Sequence, residues 1–273
     1  MISTLPAEIV WQIISYLSLK DISLLRLSSK RLRTFCDHPA VWRDLQLNPS
    51  MLSSASTCHK TCTLWTLADL QAIVGPHVSH IRSIQIWGVR DSIVRYLLAN
   101  CLQLQELTLC GWTTLSDHAF KTADHPLKLE RLELIGAANQ TNYTSIDAST
   151  LGKLLTHCTE LSELLLSCQI HIHAQALLKE LESSPPKKLR SLTLATRRTW
   201  SSQHITELLA LCPAIQQVGL LPAAAAGFNL ESEQKLNVGN WIADKTQVAI
   251  DHSVIHQQED EPIPSEGIII YRT

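Results

Sequence analysis

The densest set of metal-ligating side chains in the chain is Cys58, His59 and Cys62, three donors within five residues. Thiolate and imidazole suit zinc, but a structural zinc site takes four ligands, and no second pair follows at finger-like spacing. No metal site is therefore expected. His171 and His173 alternate on an extended segment without a third ligand nearby, and a capping or surface role is expected of them. Three carboxylates, Glu106, Glu133 and Glu163, recur at related places. A general acid/base pair needs one carboxyl desolvated against another, and here Arg131 sits among them with no sign of burial, which points to a solvated face. No glycine loop that would cradle phosphate and no G-x-S-x-G elbow is present. No catalytic residue and no cofactor is expected.

Three of the eight cysteines have a different logic. Cys101, Cys158 and Cys212 each stand three positions before an apolar residue that opens a pattern L-x-x-L-x-L. The pattern is clearest at Leu104, Leu107 and Leu109, and recurs at Ile81, Ile84, Ile86; Leu129, Leu132, Leu134; Leu161, Leu164, Leu166; Leu189, Leu192, Leu194; and Ile215, Val218, Leu220. Successive starts lie 23, 25, 32, 28 and 26 residues apart. Such a period, with helix-like segments between, is the signature of leucine-rich repeats, each unit giving one short strand and one return segment. One unit cannot bury its three apolar side chains alone, so stacked neighbours must complete the core. A catalytic thiol would not recur in register, whereas a small, apolar, weakly hydrogen-bonding side chain at each helix end would. Pro126 and Pro186 replace the cysteine in two repeats, where shorter or irregular helices are expected.

Strand alternation sends the leucines into the stack and the residues between them to the other face. Three rows result: Ser83, Glu106, Arg131, Glu163, Ser191, Gln217; Gln85, Thr108, Glu133, Leu165, Thr193, Gly219; and Trp87, Cys110, Ile135, Ser167, Ala195, Leu221. The third is unusually apolar for solvent. Trp87, Cys110 and Ile135, with Glu106, Thr108, Arg131 and Glu133 beside them, are the candidate protein-binding residues. The alternative is that this row is covered by the polar insertion at Ala137–Tyr143 or by the C-terminal tail. Past Leu221 the register fades into a degraded repeat or cap. Residues 229–273 carry eight acidic and three basic groups, and Ile268–Tyr271 can add a last strand.

At the N-terminus, Leu5-Pro6 precedes apolar positions Ile9, Val10, Ile13, Ile14 and Leu17 at helical spacing. Two further short helical segments come next, one with Ile22, Leu24, Leu25 and Leu27, the other from Lys30 to Phe35, before His38-Pro39 stops the run. Three small helices bury little surface, so the unit must lean on a partner or on the repeat domain after it. Its six basic against four acidic groups over residues 1–47 favour a solvated edge over nucleic-acid binding.

In order and spacing, Leu5-Pro6-x-Glu8-Ile9-x-x-x-Ile13-x-x-Tyr16-Leu17 with Asp21-Ile22, Leu25, Leu27-Ser28, Arg31, Phe35 and Trp42-Arg43 resembles the F-box motif. The array resembles the cysteine-containing leucine-rich repeats that often accompany it. Leu32 replaces an aromatic common in the family's third helix, and Ser28 or Ser29 a frequent cysteine. The resemblance implies a three-helix hook that binds the Skp adaptor, and through it a cullin, using Leu5, Pro6, Ile9, Ile13, Leu17, Ile22, Leu25 and Trp42. The fold expected is an α/β solenoid: an N-terminal F-box, then a curved array with parallel strands on the concave side and helices on the convex side. Residues 1–47 are assigned to the F-box, 48–66 to a linker, 67–221 to the repeats and 222–273 to a degenerate repeat or cap with an acidic tail. The function expected is that of a substrate-recognition subunit of a Skp–cullin–F-box ubiquitin ligase, non-catalytic itself, with an unidentified protein target. A repeat scaffold without a ubiquitination role is the alternative. No apolar run approaches the roughly 18 to 20 residues of a membrane helix, and Met1-Ile2-Ser3-Thr4 lacks the basic opening of a signal peptide. No membrane or nucleic-acid partner, free thiols and a cytoplasmic or nuclear setting are therefore expected.

Overall fold

The computed structural model describes residues 5–48, 64–121, 126–136, 143–170, 172–196, 200–222 and 268–271. Cys58, His59, Cys62, His171, the insertion at 137–142 and the stretch 223–267 lie outside them. The chain opens with three helices, α1 (Ala7–Ser15), α2 (Leu19–Ser28) and α3 (Lys30–Cys36). Their starts follow from local chemistry. Pro6, which has no N–H to satisfy, occupies the N-cap of α1. Ser18 and Ser29 cap α2 and α3 by accepting from the backbone N–H of Asp21 and Leu32, each satisfying a donor the helix itself cannot.

The next strand departs from the sequence expectation. Residues Asp44–Leu47 form β1, which pairs in parallel with β2 (Ser83–Val89). Trp42-x-x-Leu45-x-Leu47 is itself a copy of the repeat pattern, with tryptophan at its first apolar position, so the sheet begins one strand earlier than the leucine and isoleucine copies indicate. From β2 the sheet runs through β3 (Glu106–Trp112), β5 (Arg131–Ile135), β7 (Glu163–Ile170), β8 (Ser191–Thr196) and β9 (Gln217–Pro222), all parallel. A last strand, β10 (Ile268–Tyr271), joins β9 antiparallel. Two short strands, β4 (Thr114–Ser116) and β6 (Tyr143–Ser145), pair separately.

Helices α4 (Leu67–Val74), α5 (Asp91–Asn100), α6 (Asp117–Phe120), α7 (Ala148–His157), α8 (Ala174–Ser183) and α9 (Ser202–Leu211) return the chain between strands and pack on one another in sequence order. Pro126 follows the four-residue α6, as expected. Pro186 does not shorten its helix, for α8 has ten residues and ends at Ser183, with Ser184 as its C-cap, before the proline is reached. In β2 and β3 the backbone turns through the left-handed region at Gly88 (φ 71°) and Gly111 (φ 62°), which a side chain would strain.

One hydrogen-bond motif sets the register of every unit. A single carbonyl accepts two successive N–H groups of the next strand: Arg43 O from Arg82 and Ser83, Arg82 O from Gln105 and Glu106, Gln105 O from Glu130 and Arg131, and so on to Arg190 O. The in-register cysteines close the helices. Cys101, Cys158 and Cys212 occupy the C-caps of α5, α7 and α9 and donate their N–H to Leu97, Leu154 and Leu208. Each then accepts, through its carbonyl, the N–H of the residue that opens the next pattern, Leu104, Leu161 or Ile215. The thiols point into the core beside the strand leucines.

The six described cysteines are free and buried. Burial pushes the thiols of Cys101, Cys110, Cys158 and Cys168 up to about 12 and that of Cys212 to about 11, and raises Cys36. The thiolate is the reactive form. Iodoacetamide at about pH 8 is therefore expected to leave all six unmodified while the chain is folded and to label them after denaturation. Prompt native-state labelling of any one, read by peptide mass spectrometry, would contradict the burial described.

Candidate functional site

Two surfaces gather the candidate residues. The first is the helical head. On α1, Val10 and Ile14 turn inward, while Ile9 is 42% and Tyr16 82% exposed. Ile9, Ile13 and Tyr16 are spaced i, i+4, i+7, one stripe along the outer side of the helix. On α2, Ile22 is buried and Leu25 packs against the core, while Leu24 (59% exposed) and Leu27 (71%) stand on the opposite side. Four of the five large exposed apolar side chains among the described residues thus lie on α1, its C-cap Tyr16 and α2.

The candidate adaptor residues divide accordingly. Pro6 and Ile9 are exposed. Leu5, Ile13, Leu17 and Leu25 are half-buried, and Leu5 is held by its carbonyl, which accepts from Arg31 Nη2 at 2.8 Å. Ile22 and Trp42 are interior, at 4% and 1% exposure, so in the free chain neither lies on the outer surface with Pro6 and Ile9. Trp42 Nε1 donates to Cys36 O at 2.6 Å, and its ring stacks on His77 with centroids 3.7 Å apart. Trp42 therefore ties the head to the turn after α4. Tyr16, Leu24 and Leu27 are exposed as well, though none is among the adaptor residues that the resemblance implies. For Leu24 and Leu27 the signal in the sequence is the presence of apolar residues on both sides of α2, where one stripe suffices for internal packing.

The second surface is the sheet face opposite the helices. The first two rows pair strand by strand in the register that alternation predicts, Ser83–Glu106–Arg131–Glu163–Ser191–Gln217 and Gln85–Thr108–Glu133–Leu165–Thr193–Gly219. Strand β1 adds Asp44 and Gln46 at their head. Ser83 Oγ donates to Glu106 at 3.2 Å, Thr108 Oγ1 to Glu133 at 2.9 Å, and Arg131 Nε pairs with Glu163 at 2.8 Å. Burial raises the Glu133 carboxyl above its ordinary range, against the lowering pull of Thr108 and Arg131.

The third row differs from expectation. Cys110 and Ile135 are 3% and 5% exposed, so neither offers an open surface. Register places Trp87, Cys110 and Ile135 side by side, and with Leu165 they form a small cluster separate from the main core, Trp87 only half-buried against it. Ser167 does not continue the row into Ala195, because the β7–β8 register shifts between Leu166 and Ile170. Side chains of Ala195 and Leu221 lie outside the described residues. Of the candidate target residues, Glu106 is exposed and Trp87, Thr108, Arg131 and Glu133 are half-buried.

Comparison with known proteins adds two findings. Residues 2–48 match the F-box-like family. Over 237 residues the chain is 23% identical to F-box/LRR-repeat protein 4 of Bos taurus, an alignment covering 79% of this chain and 37% of that protein. The chain thus spans little more than a third of its relative's length. With its outward apolar stripe on the matched helices and a parallel sheet behind them, the chain carries an F-box-like domain at its N-terminus and is a homologue of F-box/LRR-repeat protein 4.

Proposed function

We propose that the chain is a substrate-recognition subunit of a Skp–cullin–F-box ubiquitin ligase. The observation that carries this reading is the coincidence of the F-box-like match at residues 2–48 with four large apolar side chains left exposed on α1 and α2. Fully burying a large apolar side chain contributes about 1.5–3 kcal/mol, so docking a Skp adaptor over Ile9, Tyr16, Leu24 and Leu27 supplies what a small three-helix unit lacks by itself. Leu5, Pro6, Ile13, Leu17 and Leu25 frame that surface. The repeats, stacked as a curved solenoid over residues 67–221, present Glu106, Thr108, Arg131, Glu133 and Trp87 to a protein target. Ubiquitin transfer belongs to other subunits, recruited through the cullin in the cytoplasm or nucleus, and this chain acts by positioning.

The test is reconstitution. The intact chain, co-expressed with a Skp adaptor and a cullin, is expected to elute with both as one complex in size-exclusion chromatography. A properly folded chain that elutes alone in the presence of excess adaptor would remove the ligase reading.

A further inference from the structure

At the β1 end, the two polar rows of the strand face run into a groove of about 600 Å³ between the sheet and the helical head. Its wall is apolar: Trp11, Ile14 and Leu17 at the end of α1, and Leu19 at the start of α2. Its floor is polar and consists of the first two members of each row, Asp44 and Ser83, Gln46 and Gln85. Trp11 is half-buried, and its ring lies edge-on to Phe35 (centroids 5.6 Å) and His38 (4.8 Å), so it is held in place before anything binds. A preset aromatic wall is the kind of anchor that dominates interface energetics.

At 3.6 residues per turn, Trp11 and Ser15 lie on roughly the opposite side of α1 from Ile9, Ile13 and Tyr16. An occupant of the groove therefore leaves Ile9, Ile13 and Tyr16 uncovered and meets the residues that frame the docking surface only at Leu17. Charge selects the occupant. The rows that leave the groove floor carry four carboxylates, Asp44, Glu106, Glu133 and Glu163, against one guanidinium, Arg131, which is already paired with Glu163; beside the rows, Arg43 Nε stands 3.9 Å from Asp44. The chain's own C-terminal stretch, residues 229–273, has eight acidic and three basic groups, the same sign as the rows.

We infer that the groove takes an apolar side chain from an extended segment of the target protein, whose lysines or arginines lie along the acidic rows. This deepens the proposed function and rests on its reading that the strand face binds a target. An apolar residue followed by alternating basic ones is the target chemistry that fits, since alternate residues of an extended segment point the same way.

The probe is a pool of fluorescein-labelled peptides about ten residues long, with Leu, Phe or Trp near one end and Lys or Arg at alternate positions after it. Two control pools carry Glu for the basic residues or Ser for the apolar one. Binding to the intact chain is read by fluorescence anisotropy, and adaptor capture is measured on the same preparations. The basic apolar pool is expected to bind at least about tenfold more tightly than either control. Gln46→Trp, which fills the groove from an exposed position, and Glu106→Lys are each expected to remove about tenfold or more of that affinity, with adaptor capture unchanged. Equal binding of the three pools, or full affinity in Gln46→Trp, overturns the inference. Adaptor capture without peptide selectivity overturns it and leaves the ligase reading standing. Peptide selectivity without adaptor capture supports it and removes the ligase reading alone.

Discussion

Leu24→Asp combined with Leu27→Asp is expected to abolish capture of a Skp adaptor, with at least about a hundredfold loss of affinity, while the chain stays folded. The two leucines are 59% and 71% exposed, so aspartate at either place meets solvent and forces no repacking. The cost to the free chain is that of a poorer helix former, roughly 0.5 kcal/mol each relative to leucine. That lowers the melting temperature by only a few degrees in a chain of this size. In the docked state each aspartate would place an unpaired carboxylate where an apolar side chain had been covered. A hundredfold loss corresponds to about 2.7 kcal/mol, which one well-buried interface residue can supply. Leu102→Asp is the control, because Leu102 is the remaining large exposed apolar residue among those described and sits at the turn after α5, away from the head. Full adaptor capture by the double variant would show that the exposed leucines do not form the docking surface.

Trp42→Ala would also abolish capture, by another route. Truncating a buried tryptophan costs about 3–5 kcal/mol, and the carbonyl of Cys36 would lose its indole donor. Circular dichroism or a thermal melt separates the two cases: loss of binding with the melt preserved belongs to Leu24 and Leu27, and loss of both belongs to Trp42.

That contrast also explains what the sequence could carry. The strand register is legible because alternation has period two and the leucines tolerate no slip, since a one-residue shift would turn every core residue to the other face. The helix-ending cysteines are legible for the same reason, as one hydrogen-bonded cap repeated at fixed distance from the next strand. The head is legible only as a motif. Periodicity finds apolar stripes but does not say which of two stripes on a ten-residue helix meets the core. The resemblance to the F-box motif therefore counts Ile22 and Trp42, which are buried, among its adaptor residues and leaves out Tyr16, Leu24 and Leu27, which are exposed. Strand β1 escapes the pattern because Trp42 fills a position that leucine or isoleucine holds elsewhere. Cys110 and Ile135 read as exposed because alternation gives the face of a sheet and not the depth at which neighbouring strands bury their own cross-strand partners.

The junction between head and sheet gives the second large effect, a loss of stability in mild acid that runs through His77. The side chain is 4% exposed and stacked on Trp42, and its Nε2 has no hydrogen-bond partner among the described residues. Desolvation, reinforced by the Arg26 guanidinium, lowers its pKa from 6.5 to about 4, while Asp37, 3.8 Å from Nε2, pulls the other way. Asp37 cannot neutralise the imidazolium well because it already pairs with Arg26. With the folded pKa below the unfolded one, the unfolded chain binds more protons between the two values. Stability is therefore complete above about pH 6.5 and is lost as pH falls toward 4. A pKa difference of one between the folded and unfolded chain corresponds to about 1.4 kcal/mol, so the effect is on the order of 3 kcal/mol, or very roughly 6–12 °C of melting temperature. His77→Phe keeps an aromatic ring against Trp42 without a group to protonate. Melting curves from about pH 7.5 to 4.5 are expected to diverge below pH 6.5, the wild-type chain falling further than the variant. Amide exchange at β1 and β2, the strands that join the head to the sheet, is expected to accelerate in the wild type over the same range. Parallel melting curves for the two proteins would mean that His77 is not what makes this junction acid-sensitive.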